Sequence, residues 1–168
     1  MIHVCSLARL HNTVSETGAR HVVTLMKDIS QVKRPPSVME ANHLLLDMDD
    51  ITMSIDGYVH PNADHVEKLI TFVTGWDRSA PLVVHCFAGI SRSTAGAFIT
   101  ACALNPKRDE QSLAKMIRAS SPTAQPNSLL ISLADDMLGR NGRMVAAIDQ
   151  IGSATPATEG TPFRIDLE

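Results

Sequence analysis

The sequence predicts an α/β fold, a small and mainly parallel sheet flanked by helices. Three observations carry that expectation. Strand-like and helix-like segments alternate through the first two thirds of the chain, the order that builds parallel sheets with helical crossovers. One segment, Pro81-Leu82-Val83-Val84-His85, is an unbroken apolar run opened by proline, the pattern of a strand buried on both faces. The last third reads as a succession of helices able to cover such a sheet. At 168 residues, 44% hydrophobic and 20% charged, the chain is long enough to bury roughly two thirds of its unfolded surface in one domain.

Taken in order, Ile2-His3-Val4-Cys5 is a short first strand, and His21 to Met26, rich in β-branched residues, is a second. Between them Leu10 to Ala19 has room for a short helix with a thin apolar face, with Gly18 near its C-terminal end. Residues 27–41 hold Lys33-Arg34-Pro35-Pro36 and read as a surface loop. Leu44-Leu45-Leu46 is a third strand that runs into Asp47-Met48-Asp49-Asp50, and residues 51–63, with Gly57 and Pro61, form another loop. Val66, Leu69, Ile70 and Val73 recur at helical spacing and predict a helix over about 64–75. Residues 92–104 form an apolar helix with Pro106 beyond its end, in which Gly96 permits close approach to the sheet. Residues 109–119 open with Asp109 and Glu110 and close with Lys115 and Arg118, the charge order the helix dipole prefers. Residues 127–138 follow Pro126 and stop at Gly139, and a last helix spans about 143–151. The domain is expected to occupy 1–151, leaving 152–168 as an extended or disordered tail with Phe163 and Ile165 as anchors.

Fifteen basic against 18 acidic residues give a formal net charge of -3, with no excess to neutralise a nucleic-acid backbone. No apolar run approaches the roughly 20 residues that span a bilayer, and the first ten residues lack the pattern of a secretory signal. Cys5, Cys86 and Cys102 are too few and too scattered for a disulfide framework, and no CxxC pair suggests structural zinc. His60, Asp64 and His65 flank a helix start and read as capping and surface residues rather than metal ligands. The expectation is a cytoplasmic domain without metal, cofactor, membrane or nucleic-acid partner; oligomeric state is not encoded in these features.

The chemistry lies in Val83-Val84-His85-Cys86-Phe87-Ala88-Gly89-Ile90-Ser91-Arg92-Ser93-Thr94. A buried strand ends at His85 and a helix begins near Arg92. The tight loop between them opens with Cys86 and closes with Arg92. N–H groups of such a turn, with those of the first helical turn, form a nest for an anion at the positive end of the helix dipole. Gly89 allows a conformation other residues resist, and Arg92 brings a planar fork matched to two oxygens of an oxyanion. The same field favours a thiolate at Cys86, which makes it a nucleophile aimed at a phosphate-sized site. Ser93 is placed to donate to that sulfur.

His85-Cys86-x-x-Gly89-x-Ser91-Arg92-Ser93 resembles the signature of the cysteine-dependent protein tyrosine phosphatases, in their small dual-specificity-like branch. The order of elements is compatible with that family over about residues 1–140, and Pro126-Asn127 before a helix is similar to an element that follows its phosphate loop. The resemblance implies the protein tyrosine phosphatase-like fold. It also implies a metal-independent hydrolase of phosphotyrosine, with phosphoserine and phosphothreonine as further substrates, acting on a phosphorylated protein or a small phosphomonoester through a phosphocysteine. It carries catalytic roles onto Cys86, Arg92 and Ser93, phosphate binding onto Phe87, Ala88, Gly89, Ile90, Ser91 and Arg92, and supporting roles onto His85 and Asn127. With aromatic residues at 4%, the chain has no equivalent of the aromatic recognition wall of the large tyrosine phosphatases.

The family also uses an aspartic acid on a loop before the cysteine to protonate the leaving group. Asp47, Asp49, Asp50 and Asp56 all fall in the right interval; Asp50, 36 residues before Cys86, heads a loop and is the first choice. Two other readings stay open. Asp47-Met48-Asp49-Asp50-Ile51-Thr52 resembles the nucleophile motif of haloacid dehalogenase-like phosphatases, which would make Asp47 the nucleophile and Mg²⁺ a cofactor, although Ile51 stands where Thr or Val belongs. A catalytically weak phosphate-binding module is the other. Cys5 and Cys102 read as core thiols, with a resolving role toward Cys86 as the alternative.

Overall fold

The computed structural model describes residues 1–167. Its elements run β1 (Ile2–Ser6), α1 (Leu10–Thr17), β2 (His21–Leu25), β3 (His43–Leu46), α2 (Ala63–Thr74), β4 (Leu82–Cys86), α3 (Arg92–Leu104), α4 (Glu110–Ser120), α5 (Ser128–Met137), α6 (Arg143–Gln150) and β5 (Phe163–Ile165). The strands form one sheet in the order β3-β2-β4-β1-β5. The first four are parallel, and β5 runs antiparallel to β1.

The central strand is β4, and all five of its residues are buried. It needs no polar face, which is why it reads as a continuous apolar run. Successive side chains point to opposite faces of a strand. Cys5, Val22 and Val83 accordingly join Leu10 and Val14 of α1 in a small core on one side. Val4, Val23 and Val84 face the larger core built by α2 to α6. Within that layer Gly96 lets α3 approach the sheet: a Cβ there would stand 3.1 Å from both Leu25 Cδ1 and Val84 Cγ1.

Several details differ from the sequence expectations. β4 continues through Cys86, in register with Ser6 of β1, so the end of β1 lies beside the start of the loop. Segment 27–41 is not wholly a surface loop: Pro35 and Val38 are buried, because α1 alone is too short to close its face of the sheet. The tail runs extended into β5, a strand too short to show a period, and Ile165 and Leu167 are buried by it. In agreement with the capping reading, His65 forms a capping box with Asn62 at the start of α2. Among the described residues, no helix is long and apolar enough to cross a membrane.

Candidate active site

Strand β4 delivers His85 and Cys86 to the carboxyl edge of the sheet, and α3 begins at Arg92. The carbonyls of the intervening loop are held from outside. Leu7 N–H donates to Phe87 O (3.1 Å), Gly160 N–H to Ala88 O (2.9 Å), Gln125 N–H to Ile90 O (2.9 Å) and Asn127 N–H to Ser91 O (3.4 Å). A trans peptide points its N–H opposite its C=O. The N–H groups of Ala88, Gly89, Ser91 and Arg92 therefore turn into the loop, where they form a nest at the N-terminus of α3. Gly89 takes φ 74°, and a Cβ on it would stand 2.8 Å from both Cys5 C and Ser6 N. Backbone angle and space both demand glycine there.

Cys86 lies at the bottom of this nest. Its Sγ receives the Gly89 N–H at 3.2 Å, and Ser93 Oγ lies 3.2 Å away on the other side. Arg92 is buried and its Nη1 donates to Met48 O at 2.9 Å, which fixes the guanidinium. Its Nε is buried with no hydrogen-bond partner. Leaving such a donor unsatisfied costs about 1–3 kcal/mol, and an oxyanion in the nest is the ligand that suits it.

His85 is fully buried behind the loop. Thr24 Oγ1 lies 2.6 Å from His85 Nε2 and 2.8 Å from His43 Nε2, while His85 Nδ1 lies 3.3 Å from Cys86 O. The Cys86 carbonyl only accepts, so His85 Nδ1 carries the proton. Thr24 then donates to His85 Nε2 and accepts from His43 Nε2–H, since its hydroxyl has one hydrogen to give. Burial pushes the pKa of both His85 and His43 down to about 4. Both are neutral at pH 7, and His85 orients the Cys86 peptide rather than accepting a proton. Burial likewise pushes the Cys5 and Cys102 thiols up to about 12, so both are protonated at neutral pH.

The four acids part company in space. Asp50 docks on the end of the loop: its Oδ1 accepts from Ser91 Oγ at 2.7 Å and from Asn127 Nδ2 at 2.9 Å. Its Oδ2 lies 3.9 Å from Arg92 Nε. Asp49 instead pins its own loop, accepting from Val59 N–H at 2.9 Å and pairing with Lys27 Nζ at 3.3 Å. Asp47 accepts from Asp28 N–H at 3.1 Å behind β3, an edge strand, and Asp56 is exposed. Asn127 is buried and does two jobs, capping α5 through Oδ1 and holding Asp50 through Nδ2.

The rim is open. Phe87 is 66% exposed at the loop's first position. A groove of about 320 Å³ beside the loop is lined by Asp50, Thr52, Ser91, Gln125, Pro126 and Asn127, among others. Thr24, His43, Met48, Gln125 and Gly160 belong to this site without any motif to announce them. The last three contribute backbone atoms, which leave no signature in residue type. Thr24, a polar residue inside an apolar strand, was the readable signal.

A family model described as Protein-tyrosine phosphatase matches residues 56–124, which include the whole loop from His85 to Ser93. No curated protein matches the chain by sequence. Solved structures share the fold at low identity. The Cydia pomonella PTP-2 phosphatase superposes with a TM-score of 0.63 at 20% identity, over 80% of this chain and 84% of that one. Human DUSP28 gives 0.62 at 17%, over 83% and 89%. The human tyrosine phosphatase-like serine/threonine/tyrosine-interacting protein gives 0.65 at 15%, over 83% and 92%. These findings offer no support for the haloacid dehalogenase-like alternative built on Asp47.

Proposed function

We propose that the chain is a member of the protein tyrosine phosphatase superfamily and that it hydrolyses phosphotyrosine, with phosphoserine and phosphothreonine as further substrates, through a phosphocysteine at Cys86. The observation that carries this reading is the position of Cys86 Sγ beneath four inward N–H groups and beside the unpartnered Nε of Arg92.

The steps follow from that placement. The phosphoryl oxygens occupy the nest, bound by the loop N–H groups and by Arg92, which stabilise the charge spread over them in the transition state. The Cys86 thiolate attacks phosphorus in line. The S–P bond forms as the bond to the leaving oxygen breaks, and Asp50 passes its proton to that oxygen. In the second step Asp50 takes a proton from water, the water oxygen attacks phosphorus, and the S–P bond breaks to release inorganic phosphate. Ser93 donates to the sulfur as it leaves. Ser91 and Asn127 hold Asp50 at the loop's end, within reach of an ester oxygen leaving the nest. No metal has a step in this scheme. A reducing compartment such as the cytoplasm suits it, because a thiolate nucleophile is lost on oxidation.

The test is hydrolysis of p-nitrophenyl phosphate in excess EDTA by the wild type and Cys86→Ser. Activity that survives EDTA and disappears in the variant is expected. Activity removed by EDTA but retained by the variant would overturn the reading, and no activity in the wild type would leave a phosphate-binding module.

A further inference from the structure

Of the four N–H groups outside the loop and its helix that hold the loop's carbonyls, those of Leu7, Gln125 and Asn127 come from residues before the last helix. The fourth comes from the tail, ten residues after α6 ends at Gln150. We propose that Gly160 is a positioning residue for the phosphate loop: its N–H holds the Ala88 carbonyl outward and so keeps the Gly89 N–H, which meets Cys86 Sγ at 3.2 Å, turned into the nest that receives the oxyanion. The proposal rests on the phosphatase reading above only in taking the nest as the phosphate site.

Gly160 is fixed from both sides. Just before it, Glu159 Oε1 accepts from the buried Ser6 Oγ at 2.6 Å. Further back, Thr155 N–H donates to Pro122 O, and Ala154 N–H to Gln125 Oε1. Three residues after it, Phe163 enters β5 in register with Val4 of β1. The strap thus spans from the residues beneath the loop to the edge of the sheet.

The contact it makes is between two backbones. A Cβ on Gly160 would stand 2.7 Å from Gly89 O and 3.2 Å from Gly89 C. Gly89 is confined on its other side by the Cys5–Ser6 peptide, 2.8 Å from where its own Cβ would be. Gly89 is therefore held between two walls, and the Gly160 N–H anchors the preceding Ala88–Gly89 peptide. Were it to flip, its carbonyl oxygen would face the nest and repel an anion in place of donating to it. The Gly160 hydrogen bond opposes that flip, and only glycine allows the approach.

The test is the affinity of inorganic tungstate, an oxyanion that needs no turnover, measured by calorimetry on the full chain beside the melting temperature. Gly160→Ala is expected to raise the tungstate Kd about tenfold, the scale of one lost hydrogen bond, with a parallel loss in kcat/KM for p-nitrophenyl phosphate. Ser6→Ala, which frees Glu159, is expected to shift both in the same direction by less. A tail that merely covers the edge of β1 would lower the melting temperature and leave Kd unchanged; an unchanged Kd in Gly160→Ala overturns the proposal. If Gly160→Ala does not fold, Ser6→Ala decides by the same criterion. A wild type that binds tungstate but hydrolyses nothing would overturn the phosphatase reading, while the strap is judged on tungstate affinity alone.

Discussion

Asn127 Nδ2 donates to Asp50 Oδ1 at 2.9 Å, across 77 residues of sequence, while its own Oδ1 receives the N–H groups of Leu129 and Leu130. One side chain thus starts a helix and places an acid. The two roles separate by substitution. Asn127→Ala loses both: about 1 kcal/mol of stability from the cap, and about tenfold in kcat/KM from a wandering Asp50. Asn127→Asp keeps a capping oxygen but sets a carboxylate against a carboxylate. It is expected to keep the helix cap while that repulsion lowers the melting temperature, and to lose activity as Asn127→Ala does. Equal activity in Asn127→Asp and wild type would deny Asn127 its positioning role.

Asp50→Ala is expected to slow hydrolysis of esters with poor leaving groups by about 10²–10⁴. It should slow good leaving groups far less and remove the pH limb that reports the acid. Asp49→Ala should cost about 1 kcal/mol of stability, the scale of one lost hydrogen bond, and leave the leaving-group dependence intact. A leaving-group effect in Asp49→Ala instead would move the acid from one residue to its neighbour.

Arg92→Lys keeps the charge but loses the planar fork and the Nη1 bond to the Met48 carbonyl. A fall in kcat of about 10²–10³ is expected, with weaker inhibition by phosphate. Near-normal kinetics would show that a point charge suffices and that the free Nε has no ligand to serve.

His85 and His43 are held at a pKa of about 4 by burial, against about 6.5 in an unfolded chain. The unfolded state takes up protons first as pH falls. Stability should therefore be full above about pH 6.5 and decline toward pH 4. Imidazole resonances of both residues should stay at their neutral positions until below pH 5. A midpoint near 6.5 for His85 would contradict the Thr24-linked pair of neutral rings.

The strand, loop and helix around Cys86 were legible because each rests on local residue type. An apolar run marks β4, Gly89 answers to a positive φ, and the apolar stretch 92–104 ends where α3 ends. The choice among Asp47, Asp49, Asp50 and Asp56 was legible only as a preference. What separates them is which carboxylate Ser91 and Asn127 reach, a long-range fact. The edge strand β5 escaped notice because three residues cannot display alternation, and its stability comes from pairing with β1. The links from Leu7 and Gln125 to the loop's carbonyls are made by main-chain atoms, which every residue type but proline supplies equally.

The most direct measurement is to quench the Asp50→Ala variant in acid during turnover of p-nitrophenyl phosphate and map the trapped phosphoryl group by peptide mass spectrometry. Asp50→Ala should accumulate the intermediate, since the good leaving group departs unaided while hydrolysis lacks its base. The account predicts one phosphoryl group on the peptide containing Cys86, and none in the Asp50→Ala, Cys86→Ser double variant. A phosphoryl group on Asp47, or one that persists without the Cys86 sulfur, would contradict it.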